Sequence, residues 1–78
     1  MKKIEVLGSG CANCVRLAAN AKEAAALAGV EVEIVKVTDY GEILAYGIMS
    51  TPGLVVDGKV VSYGRVASAS DIVPWISE

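Results

Sequence analysis

The sequence predicts an α/β domain, with elements in the order β-α-β-α-β-β-α, and three observations lead there. A β-branched and aliphatic run, "KKIEVL" at residues 2–7, is stopped by Gly8. A long stretch follows in which small or apolar residues recur at three- and four-residue steps, the period of a helix with one buried face. Later, Asp57-Gly58 separates two β-rich runs, and this dipeptide supplies the positive φ angles of a type I′ hairpin turn. Seventy-eight residues, 54% of them hydrophobic, make one small domain (1–78) that buries a core instead of remaining disordered.

The first strand is "KKIEVL", and the first helix runs from the cysteines to a natural stop at Gly29. Cys14, Leu17, Ala18, Ala21, Ala25 and Ala28 form its inner stripe, with Asn13, Arg16, Asn20 and Glu23 opposite. "VEVEIVKV" at 30–37 is the second strand; its alternation shifts phase at Ile34-Val35, as suits an edge strand with a buried middle. Asp39 can cap a short helix reaching about Tyr46, weakened by Gly41 and Gly47. "GLVVDGKVVSY" supplies the hairpin. In "SASDIVPWISE", Ser68 and Asp71 have capping-box spacing, and Ile72, Trp75 and Ile76 share one face. Pro74 conflicts with that helix, because it lacks an N–H and collides with the carbonyl four residues back. The expectation is a helix kinked there or starting later than its cap.

The formal charge is −2, and the seven basic residues are scattered along the chain, which argues against nucleic acid as a partner. The opening "MKKIEVLGSG" pairs lysines with an apolar run, but Glu5 interrupts it and glycine ends it, short of a secretory core. No segment is long enough to span a bilayer. A soluble cytoplasmic protein without membrane association is expected. In that compartment two close cysteines are more often catalytic or metal-binding than structural.

The only two cysteines lie in "GSGCANC", residues 8–14, between a strand and a helix. As a staple the pair is badly placed, since closing a loop of roughly four residues removes only about 2 kcal/mol from the unfolded ensemble. A helix start places Cys11 at the positive end of the helix dipole, near backbone N–H groups that lack helical partners, and this favours thiolate. Cys14 falls one turn further in, on the inner stripe. The difference in access suits a nucleophile and a resolving thiol: Cys11 attacks a substrate disulfide, and Cys14 then breaks the mixed disulfide. Two unreactive core thiols are the plainer alternative.

Other chemistries fit less well. A closed zinc site needs four N or S ligands, whereas this chain has two cysteines and no histidine. Two thiolates can still hold a soft ion, or share a metal or iron–sulfur cluster between subunits, so a binding module is the competing class. A dinucleotide fingerprint is missing its third glycine, because Asn13 stands there. Without histidine there is no Cys-His or Ser-His dyad. Gly8 and Gly10 read as turn residues that let the backbone leave the strand and approach a partner.

Combined with "MSTPGLVVDGK" at 49–59 and "SYGRVAS" before the last helix, "GSGCANC" makes the chain resemble the thioredoxin superfamily over nearly all of its length. The nearer resemblance is to the minimal thioredoxin-like "redox-active disulfide" proteins of archaea and bacteria. It implies a mixed four-stranded sheet in the order 2-1-3-4, with the first two strands parallel, the hairpin antiparallel and helices on both faces. It also implies a cis Thr51-Pro52 bond beside the cysteines. Thr51 and Pro52 would form a ledge for an extended substrate, with Gly10, Ala12 and Asn13 as further substrate contacts.

The activity implied is thiol–disulfide exchange with protein disulfides, served by a separate reductase, in a monomer with no cofactor beyond the Cys11–Cys14 pair. Glu5 stands six residues before Cys11, where thioredoxins bury a carboxylate that aids proton transfer from the second cysteine. Read without the resemblance, Glu5 is a solvated charge near the end of a short strand, because buried glutamate is rare. The chain departs from familiar thioredoxins in having Gly10 before the first cysteine and Ala12-Asn13 between the two. Its reduction potential is therefore its own. Copper-chaperone domains also set CxxC between strand and helix, but they carry a methionine where this chain has Ser9 and end in a strand. Trp75 is assigned to packing, and Tyr40, Tyr46 and Tyr63 to no function.

Overall fold

The structure, a computed structural model, describes residues 1–8 and 12–77. The elements are β1 (Lys2–Leu7), α1 (Ala12–Ala28), β2 (Val32–Val37), α2 (Tyr40–Ala45), β3 (Gly53–Val56), β4 (Lys59–Tyr63) and α3 (Ala69–Ile76). The order matches the sequence expectation. They form a four-stranded sheet ordered β2-β1-β3-β4, with β1 parallel to β2 and antiparallel to β3, and β3 antiparallel to β4.

Strand alternation divides the core into two layers. Ile4 and Val6 of β1 pack with Cys14, Leu17, Ala21 and Ala24 of α1 and with Ile72 and Ile76 of α3. On the opposite face, Leu7 packs with Val37, Val55, Ile43 and Ile48, so that α2 covers this side. Helices thus lie on both faces, with α1 and α3 together and α2 alone.

Local signals account for most boundaries. Asp57 and Gly58 both have positive φ, 50° and 83°, and form the tight turn between β3 and β4. Asp57 also ties this turn to β1: its carboxylate accepts from the Lys3 N–H at 2.9 Å, while its own N–H donates to the Lys3 carbonyl at 2.8 Å. A register irregularity at Leu54/Val55 marks a bulge in the hairpin. Asp39 caps α2 by accepting from the Gly41 N–H at 3.0 Å.

Two boundaries differ from expectation. The second strand starts at Val32, not Val30, because the Val30 N–H closes α1 by donating to the Ala25 carbonyl at 3.0 Å, with Gly29 left-handed at φ 67°. The last helix begins directly at its cap. Ser68 and Asp71 form the full capping box, and the helix continues through Pro74 to Ile76. Pro74 removes only the bond to the Ser70 carbonyl, and both residues are exposed, so water can serve that oxygen.

Candidate active site

The site lies where β1 ends and α1 begins. Gly8 is the last residue described before the helix, and its N–H extends the parallel ladder by donating to the Val37 carbonyl at 2.9 Å. Gly10 and Cys11, two of the residues singled out in the sequence, lie outside the described residues. Ala12 and Asn13 occupy the first turn of α1, both exposed. Cys14 follows on the inner stripe with 5% of its surface exposed, among Val6 and Leu17.

Gly8 and Cys14 are in intimate contact. A methyl group built on the Gly8 Cα would run into Cys14 Sγ, with Cys14 Cβ at 3.4 Å and Thr51 Cβ at 3.9 Å. The sequence suggested that glycine here serves the turn; the structure adds that it leaves room for a sulfur. The same geometry brings Thr51 to the site. Thr51 is exposed and Pro52 buried, the peptide bond between them is cis, and the Pro52 carbonyl accepts from the Gly64 N–H at 2.9 Å. Cys14, Gly8 and Thr51 therefore meet at the end of β1, although Thr51 lies 43 positions beyond Gly8 in the chain.

Glu5 is not part of that cluster. It projects to the α2 face, opposite the side on which Val6 packs with Cys14. The expectation of a solvated charge is overturned as well, since its side chain is only 14% exposed. The Tyr46 hydroxyl donates to its carboxylate, and Lys3 Nζ lies 3.7 Å from the other oxygen, so the local partners make burial affordable. The hydrogen bond to Glu5, followed by desolvation and the charges of Glu5 and Glu42, holds the Tyr46 phenol above its ordinary value. Sequence reasoning assigned Tyr46 no role, and no local pattern links two residues 41 apart.

Against known proteins, the family model described as a thioredoxin domain matches residues 2–77. The chain belongs to the thioredoxin family. A thioredoxin of Methanothermobacter thermautotrophicus is 44% identical over 77 residues, covering 99% of this chain and all of that one. A thioredoxin of Methanocaldococcus jannaschii is 38% identical over 72 residues, covering 92% of this chain and 83% of its own. Among solved structures, thioredoxin-2, described as a component of the malaria parasite protein secretion machinery, superposes with a TM-score of 0.66. At 17% identity, covering 97% of this chain and 81% of that one, the likeness extends to the thioredoxin fold. These relatives support a thioredoxin-like redox protein. No helix among the described residues is long and apolar enough to cross a membrane.

Proposed function

We propose that this thioredoxin-family chain is a thiol–disulfide oxidoreductase acting on protein disulfides, with Cys11 as nucleophile and Cys14 as resolving thiol. The observation that carries the reading is the position of Cys14: buried, one helical turn after Cys11 in sequence, with its sulfur against Gly8 and close to the exposed Thr51. A sulfur so placed is shielded from outside disulfides, yet its i, i+3 spacing puts it within reach of a bond to Cys11.

In the reductive direction, Cys11 thiolate attacks one sulfur of the substrate disulfide and the other leaves as a thiolate that takes up a proton. Cys14, deprotonated, then attacks Cys11; the intermolecular S–S bond breaks, the Cys11–Cys14 bond forms, and the second substrate thiol is released. The substrate gains two electrons and two protons, and the protein dithiol loses both. Thr51 and Pro52 provide the ledge on which an extended substrate strand rests, with Ala12 and Asn13 as further contacts. Glu5 is left out of the proton path in this reading, because its carboxylate is on the other face of the sheet, bonded to Tyr46.

Alkylation mass spectrometry across a series of redox buffers tests the reading. A single two-electron transition linking Cys11 to Cys14 is expected, together with trapping of a Cys11 mixed disulfide by Cys14→Ser when a disulfide-bonded test protein is supplied. Absence of both the intramolecular bond and the trapped species would overturn it.

A further inference from the structure

Cys14 also borders a small cavity on the α1 side of the sheet. The space is about 20 Å³, enough for one water, and is lined by Val6, Gly8, Cys14, Val15, Lys36 and Thr38. Lys36 arrives there through strand register: it pairs with Val6 across the parallel β1–β2 ladder, so both side chains leave the sheet on the face that carries Cys14. Lys36 is itself exposed, so it closes the cavity on the solvent side. It also lines the open groove between α1 and β2 with Lys22, placing a second cation further along the same side.

The described groups that line this cavity beside Cys14 come from three elements. Strand β1 and its end contribute Val6 and Gly8, β2 and its end contribute Lys36 and Thr38, and α1 contributes Val15; Thr51 stands on the other side of Gly8. Among these described residues Lys36 is the only one that carries a charge. Glu5, the carboxylate that sequence reasoning connected with Cys14, is on the far face with Tyr46 and Lys3.

We propose that Lys36 is a positioning residue for the resolving step, its ammonium stabilising the Cys14 thiolate across this water-sized cavity. The inference rests on the redox reading above, in which Cys14 must lose its proton before it attacks Cys11. The proton passes to water at the cavity and on to bulk solvent. Lys36 changes only how readily the thiolate forms, as a nearby cation does for any thiol. Because the ammonium is solvated, the effect is modest and weakens with salt.

The test uses the full chain carrying Cys11→Ser, which leaves Cys14 as the only thiol. Iodoacetamide alkylation is followed from pH 5 to 10 at low ionic strength. Lys36→Met is expected to slow alkylation at pH 7 about threefold and move the profile to higher pH, the scale of one partly screened charge. Lys36→Arg should restore the profile, and Lys59→Met, the same charge change on β4 away from the cavity, should leave it in place. Raising KCl to 1 M should move the profile of the Lys36-containing protein upward and remove the difference from Lys36→Met; the salt arm needs no substitution at Lys36 and so survives a variant that fails to fold. A Lys36→Met profile that superimposes on its parent, or an equal shift from Lys59→Met, would overturn the inference. The redox reading is judged separately in wild-type protein: if no Cys11–Cys14 bond forms there, that reading fails whatever Lys36 does to Cys14.

Discussion

Gly8 and Cys14 share a space too small for one more carbon: a Cβ on Gly8 would overlap Cys14 Sγ. Gly8→Ala therefore forces either the end of β1 or the first turn of α1 to move, at a cost of about 1–3 kcal/mol typical of overpacking. Denaturant unfolding of the reduced protein measures this. The cost should drop below about 1 kcal/mol in a Cys14→Ala background, where the sulfur is gone. An equal cost in both backgrounds would place the strain elsewhere.

The phenol of Tyr46 is held above its ordinary value by its hydrogen bond to Glu5, with desolvation and the charges of Glu5 and Glu42 adding to it. A group that binds its proton more tightly when folded contributes stability that is complete below the unfolded value, near 10.0, and is lost as pH rises through the folded one. Tyr46→Phe should therefore flatten the alkaline decline of stability above pH 10 relative to wild type. Ultraviolet titration of tyrosinate should show the latest-ionising phenol disappearing in the same variant.

Asp57 behaves in the opposite sense. Its carboxylate is held below the usual range, first by the Lys3 N–H and then by the charge and hydrogen bond of Lys2. Its contribution is present above the unfolded value of 3.8 and disappears as pH falls through the folded one. Asn tolerates the positive φ of this turn and can still accept from Lys3, so Asp57→Asn should fold. The expected result is a thermal midpoint that depends less on pH below about 4, measured by circular dichroism between pH 2 and 6.

Pro74 interrupts α3 at an exposed position without ending it. Pro74→Ala restores an N–H to the Ser70 carbonyl and relieves the ring's clash. These gains outweigh the extra chain entropy of the unfolded state, for a net stabilisation of about 1 kcal/mol. A higher denaturant midpoint with an unchanged slope is the expected reading, and a lower midpoint would mean that the ring itself packs productively.

Signals confined to a few neighbouring residues were readable directly from the sequence. The Asp57-Gly58 turn, the Asp39 cap and the Ser68–Asp71 box each state their geometry within four positions. What the chain conceals are relationships made by packing across the sheet. Alternation sets Glu5 and Val6 on opposite faces, but nothing near either residue says that α1 covers the Val6 side while Tyr46 covers Glu5. Lys36 is hidden for the same reason: it reads as an ordinary surface charge until the parallel register places it opposite Val6. Pro74 misled in the other direction, because the capping box and the apolar face of α3 outweigh one lost hydrogen bond.

The alternation of β1 has a consequence for how such a chain can diverge. Ile4, Val6 and Gly8 serve one side of the sheet, while Glu5 and Leu7 serve the other. Inserting one residue between Ile4 and Glu5 would bring Leu7 beneath the sulfur and turn the Glu5 carboxylate into the α1 layer. The strand's residue count is thus less negotiable than any single side chain in it. Variation in redox behaviour has to come instead from neighbours outside the strand, such as the segment 49–52 that brings Thr51 to its end.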